Sequence, residues 1–312
     1  MTGAVNISAI IPVEQNHREL ETLHLAYKEA LESYGKTYEM VYVLDGDLPG
    51  PLEKLKAMQV KDQTTRIIQL AKKFGEDAAL TAGFECSTGG VILTLPAYFQ
   101  IEASEIGKIL RELQGCDMVV ARRWPRRGSR LQSLRRRIFH KLLGAITNVE
   151  LSDLGCRVRA FKRQVCQEIP IYGDQHRFLP VVAIRQGFQV KELDVAQSTD
   201  KQSGYVFPLR SYLHRLLSLF TIFFLVRFTK KPLRFFGMIG MLLLIIGGSI
   251  LAYTIVERLF FGVALTERPA LLLSSLVVVL GVQVFALGLI GELIIYTHAK
   301  DIKEYRVKQI IN

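Results

Sequence analysis

Tyr38-Glu39-Met40-Val41-Tyr42-Val43-Leu44-Asp45-Gly46-Asp47 is the stretch on which the reading of the fold turns. Seven residues rich in β-branched and aromatic side chains stop at an Asp-Gly-Asp turn, the pattern of a buried strand running into a loop. An ordinary turn after a strand is the plainer reading of Asp45 to Asp47. Upstream, Ser8 to Val13 is a second short apolar run. Between the two, Arg18 to Tyr34 places Leu20, Leu23, Leu25, Ala26, Ala30 and Leu31 at helical spacing. Downstream, Thr65 to Leu70, Gly90 to Leu95 and Cys116 to Ala121 read as further strands, with a helical segment around Glu76 to Cys86. Strands alternating with helices specify an α/β fold with a doubly wound, mostly parallel sheet. Ligands of such sheets sit beyond the carboxyl ends of the strands, so Asp45, Pro96 to Gln100 and Arg122 are candidate pocket residues on topology alone.

The C-terminal third of the chain changes character. Phe235 to Val256 and Pro269 to Gly291 carry no charged residue, and each is long enough to cross a hydrocarbon core of about 30 Å as a helix. Lys230, Lys231 and Arg234 precede the first run, and Lys300, Lys303, Arg306 and Lys308 follow the second. The link between them balances Glu257 and Glu267 against Arg258 and Arg268. Basic residues gather on the cytoplasmic side, so a hairpin with both termini cytoplasmic is expected, with no signal peptide in Met1 to Ser8. Tyr205 to Phe228 is apolar but broken by Arg210, His214, Arg215 and Arg227, and it reads as an interfacial amphipathic segment. The expected organisation is therefore residues 1–204 as a cytoplasmic α/β domain, 205–234 as juxtamembrane helices, 235–296 as a transmembrane hairpin and 297–312 as a tail.

A net charge of +11 suits anionic lipid or phosphorylated substrates. Nucleic acid is disfavoured by the two spans and by the lack of a nucleic-acid module. Cys86, Cys116, Cys156 and Cys166 lack CxxC spacing and read as reduced thiols rather than zinc ligands or disulfides. Arginines crowd the segment after Ala121, from Arg122 and Arg123 to Arg135, Arg136 and Arg137. Their forks suit phosphate, and a solvated basic face is the alternative.

The order of several short motifs resembles the polyprenyl-phosphate glycosyltransferases, relatives of dolichol-phosphate mannose synthase with a GT-A fold. Pro12 opens a first loop, Val13-Glu14-Gln15-Asn16. Leu44-Asp45-Gly46-Asp47 stands where that family has Asp-Asp-Gly-Ser. Lys73-Phe74-Gly75-Glu76-Asp77-Ala78-Ala79-Leu80-Thr81-Ala82-Gly83 is similar to its Asn-Phe-Gly-x-x-Ala-Ala-Leu-x-Ala-Gly. Val119 to Arg123, Arg157-Val158-Arg159, His176 to Pro180 and Gln186 to Phe188 match later elements. The resemblance implies nucleotide-sugar contacts from Pro12, Val13, Glu14, Asp45, Pro96, Ala97, Tyr98 and Gln100. It implies acceptor-phosphate contacts from Arg123, Arg137 and Arg159, with Arg122 and Arg136 as register alternatives. It also implies an integral protein of a bacterial-type inner membrane, and a homo-oligomer packed through the membrane helices.

One departure falls in the most demanding place. The family's Asp-Ala-Asp-Leu-Gln, whose aspartates help to hold Mg2+ or Mn2+ on the diphosphate, is here Pro96-Ala97-Tyr98-Phe99-Gln100. Both carboxylates are missing, and Glu102 and Asp47 are the remaining candidate ligands. Two main readings follow: a transferase that moves a sugar from a nucleotide sugar to a polyprenyl phosphate with inversion, and a degenerate homologue that binds nucleotide or lipid phosphate as a scaffold. A basic membrane-surface module without pocket chemistry is the third. No residue is assigned as a catalytic base.

Overall fold

The computed structural model describes residues 5–17, 19–125, 151–169, 173–198, 232–261 and 269–298. The chain divides into two units, Met1–Ser211 and Tyr212–Asn312.

In the first unit the order is β1 (Ile7–Val13), α1 (Leu20–Tyr34), β2 (Tyr38–Leu44), α2 (Pro49–Lys61), β3 (Thr65–Gln69), α3 (Glu76–Cys86), β4 (Val91–Thr94), α4 (Ile106–Glu112), β5 (Met118–Arg123), β6 (Arg159–Lys162), α5 (Arg163–Glu168), α6 (Leu179–Arg185) and β7 (Val190–Val195). The strands form one seven-stranded sheet in the order β3-β2-β1-β4-β6-β5-β7. β3, β2, β1 and β4 run parallel, β5 and β7 run parallel, and β6 is antiparallel to both of its neighbours. The strands expected from periodicity are all present, with ends moved by one or two residues.

All seven residues of β1 are buried, because helices cover both faces of the sheet. Alternate residues serve the two faces. Ala9, Ile11 and Val13 meet Leu20, Leu23, Tyr27 and Leu31 of α1 on one side. Ile10 joins Val41, Val43 and the α3 residues Ala79, Leu80 and Phe84 on the other. α3 lies so close to the sheet that a Cβ at Gly83 would come within 2.5 Å of Ile10 Cγ2. At the amino ends of β1 to β3, buried Glu39 accepts hydrogen bonds from Ser8, the Thr88 N–H and hydroxyl, and Arg66. Burial works to raise this carboxyl's pKa, and these donors outweigh burial and hold it below the ordinary value.

The second unit contains α7 (Pro232–Phe261) and α8 (Pro269–His298). Thirty residues rise about 45 Å, more than a hydrocarbon core requires. Only 17% and 11% of their most apolar windows are buried, so neither is the core helix of a soluble domain. Small side chains recur seven apart along the contact: Gly240, Gly247 and Thr254 on α7, and Ser274, Gly281 and Gly288 on α8, all buried. Backbone meets backbone there, since a Cβ at Gly240 would lie 2.8 Å from the Gly281 carbonyl oxygen. Small residues that allow close approach are what hold helices together where lipid removes the hydrophobic drive. At one end, the Glu292 carboxylate accepts the Leu233 N–H at 3.3 Å, satisfying an open donor of α7's first turn.

Candidate active site

The sheet order reverses at β1. The chain steps from β1 to β2 and β3 on one side, then returns to place β4 on the other. Such a switch point opens a crevice at the strands' carboxyl ends. Pro12 and Val13 end β1, Glu14 follows them, Asp45 follows β2, and Pro96 to Gln100 follow β4. The eight residues expected to meet the nucleotide sugar therefore come from the strand ends and loops at this one edge.

Several of them are already engaged. The buried Asp45 carboxylate accepts the Phe74 N–H at 2.7 Å and the Gly75 N–H at 3.0 and 3.1 Å, tying the end of β2 to the entry of α3. Gly46 permits this close turn: its φ is +94°, and a Cβ would stand 2.9 Å from the Lys73 nitrogen. Gln100 donates to the Tyr98 hydroxyl at 2.7 Å and accepts the Arg157 N–H at 2.8 Å. The Pro96 carbonyl accepts the Tyr27 hydroxyl at 3.1 Å. Asp47 is exposed.

Arg157 is the residue that sequence reasoning passed over. Because β6 is antiparallel to β4, with Arg159 opposite Thr94, the residues just before β6 arrive at the carboxyl end of β4. The Arg157 carbonyl accepts the Thr94 hydroxyl at 2.8 Å. Its guanidinium lies 2.9 Å from Glu76 and 3.5 Å from Glu14, and 5.9 Å from the Tyr98 ring centre. The His17 ring stacks on that same tyrosine at 6.0 Å. Burial lowers the Arg157 pKa less than Glu76, Tyr98 and Glu14 raise it, so the side chain stays cationic. Burial pushes the Glu76 carboxyl up against the pull of Arg157. The signal was in the sequence: Glu76 and Asp77 fill the two variable positions of the Phe-Gly motif, and acids in a buried first turn call for a cation or donor opposite.

Behind this pair, Asp77 contacts His176 Nδ1 and Glu76 lies 3.5 Å from His176 Nε2. A cavity of about 20 Å3, room for one water, is lined by Pro12, Glu76, Thr94, Arg157, Arg159 and His176. Arg159 is buried, and its fork donates to the carbonyls of His176 and Arg177. Burial lowers its pKa to about 10. Arg123 forms a two-pronged pair with buried Asp153, at 2.8 and 2.9 Å. Arg122 pairs with Asp194 at 2.5 Å and lies 5.3 Å from the Trp124 ring. Arg136, Arg137 and the segment 205–231 lie outside the described residues.

Residues 8–170 match the family model described as glycosyl transferase family 2. The chain belongs to that family. This glycosyltransferase is 25% identical to a dodecaprenyl-phosphate galacturonate synthase of Rhizobium johnstonii, over 99% of this chain and 94% of that protein. It is 26% identical to an undecaprenyl-phosphate 4-deoxy-4-formamido-L-arabinose transferase of Aeromonas hydrophila, over 98% and 94%. The fold is that of glucosyl-3-phosphoglycerate synthase from Mycobacterium tuberculosis in complex with UDP, at a TM-score of 0.54 and 12% identity, over 70% of this chain and 79% of that one. The mycobacterial synthase has also been solved with Mn2+ and UDP, at a TM-score of 0.51 and 14% identity, over 69% and 80%.

A divalent cation thus occurs in a neighbour of the same fold, and the donor set here does not fit one. Magnesium and manganese take hard oxygen ligands. Residues 96–98 supply no carboxylate, Asp45 is taken up by two amides, and Glu14 and Glu76 face Arg157. Glu76 and Asp77 address opposite nitrogens of the His176 ring and do not converge on a point. Among the described residues no group of three or more His, Cys, Asp or Glu could hold a metal ion.

Proposed function

We propose that this family 2 glycosyltransferase moves a sugar from a nucleotide sugar to a polyprenyl phosphate at a membrane surface, with inversion at the anomeric carbon. The observation that carries the reading is the length of the likeness: two transferases acting on polyprenyl phosphates match through the sheet and both apolar helices. An acceptor phosphate oxygen, already ionised at neutral pH, attacks the anomeric carbon. The bond from that carbon to the diphosphate breaks, and its electron pair leaves with the nucleoside diphosphate. The nucleophile needs no strong base, so positioning and charge compensation carry the rate.

The loops at Pro12 to Glu14, Asp45 and Pro96 to Gln100 line the nucleotide-sugar crevice in this reading. Arg137 or Arg136 grips the acceptor phosphate, while Arg123 and Arg159 hold the walls of the site through Asp153 and the carbonyls of residues 176 and 177. The α/β domain and both termini are cytoplasmic, on the strength of the basic flanks of the hairpin. The missing carboxylates at positions 96 and 98 favour a second reading, a binder of nucleotide and lipid phosphate without turnover. The full chain in detergent, given a short-chain polyprenyl phosphate and labelled UDP-, GDP-, CDP-, ADP- and dTDP-sugars, separates the two. Label entering the lipid phase with one donor supports transfer. Saturable binding of donor and acceptor with no label transferred supports the second reading.

A further inference from the structure

We infer that the Arg157 guanidinium takes the place of the divalent cation, so that the nucleotide diphosphate is held without a metal. The inference deepens the proposed function and rests on it.

Three observations converge on Arg157. Its backbone is fastened to the altered loop itself, through Gln100 to its N–H and Thr94 to its carbonyl. Its guanidinium stands 5.9 Å from the ring of Tyr98, the residue in the register position of the second lost aspartate. Two carboxylates at this crevice, Glu14 and Glu76, both turn to the guanidinium. Loss of two metal-binding acids and gain of a fixed cation at one place are two halves of the same exchange. A metal ion there would face a positive charge a few ångströms away and would have to take Glu76 or Glu14 from it.

The geometry also leaves a direction of approach. The pair with Glu76 is short and buried, at 2.9 Å with Glu76 7% exposed. The pair with Glu14 is longer, at 3.5 Å, and Glu14 is 35% exposed. A guanidinium has five N–H donors in a planar fork that matches two phosphate oxygens. A diphosphate entering over the first loop can displace Glu14 and meet the fork, while Glu76 keeps it in position. Unlike a metal, the fork is part of the chain, so its charge does not depend on the concentration of free cation.

Calorimetric titration of the full chain in detergent with UDP, GDP, CDP, ADP and dTDP tests this, each run with excess Mg2+ or Mn2+ and again with chelator. The preferred diphosphate should bind with affinities that differ by less than about threefold among these conditions, and Arg157→Gln should weaken it about tenfold or more, as loss of a charge-assisted hydrogen bond does. Arg157→Lys should recover part of the loss. Because Arg157→Gln strands Glu76, the double variant with Glu76→Gln is titrated beside it, and the same weakening is expected. Binding that needs the metal, or binding indifferent to Arg157 in both variants, overturns the inference and leaves the nucleotide-sugar reading standing. No binding of any of the five diphosphates under any condition overturns that reading, and the inference with it.

Discussion

Arg123→Ala should destabilise the α/β domain strongly. The Arg123 fork meets both oxygens of Asp153, which is 2% exposed, and truncation leaves that carboxylate buried without its cation. Breaking a buried pair from one side costs about 3–5 kcal/mol, much of it the unpaired charge. For a domain of this size about 2–4 °C of melting temperature goes with each kcal/mol, so a fall of about 10 °C is expected. The assay is thermal unfolding of the purified full chain, followed by near-UV circular dichroism. Arg122→Ala is the comparison: its partner Asp194 is half exposed, and its loss should cost less than about 1 kcal/mol. Replacing both members, Arg123→Met with Asp153→Leu, should recover most of the stability because no charge is stranded. Arg123→Ala melting within about 2 °C of the unaltered protein while losing polyprenyl-phosphate affinity would refute the structural role and return the residue to the acceptor site.

Other outcomes follow from the same geometry. Asp45→Ala removes a buried carboxylate that accepts two part-buried N–H groups and should cost about 1–3 kcal/mol in denaturant unfolding, with weaker nucleotide binding as the 73–75 turn shifts. Glu39 has a depressed pKa, so its contribution is present above the ordinary value of 4.5 and is lost as pH falls through the folded value. Glu39→Gln should therefore melt lower than the unaltered protein at pH 7, with the gap closing in acid; a gap that widens in acid would contradict the assignment. A cysteine at Gly262 should react with a membrane-impermeant thiol reagent in intact cells while an N-terminal cysteine is protected, and equal protection would sink the hairpin's orientation.

The strands were legible because β1 and β2 are short, apolar and closed by turn residues, and a sheet covered on both faces has that signature. The two spans were legible from length and lack of charge. The antiparallel insertion of β6 was not, since four residues carry no mark of direction, and only that direction brings Arg157 to the end of β4. Arg159 is a candidate acceptor-phosphate cation from the Arg-Val-Arg element, yet its depth and its carbonyl partners are properties of the packed fold. Arg123 closes β5, two residues beyond the expected strand end at Ala121. Its partner Asp153 lies thirty residues on, beyond the reach of any local pattern.

The defining step of the proposed reaction is a bond formed between sugar and lipid phosphate. Its most direct test is 31P and 1H nuclear magnetic resonance of the product made by the purified full chain from its preferred nucleotide sugar and a short-chain polyprenyl phosphate. One new sugar phosphodiester of opposite anomeric configuration is expected, formed in step with an equal amount of nucleoside diphosphate. Nucleoside diphosphate released with free sugar, or no reaction with any donor while both substrates bind, would contradict it.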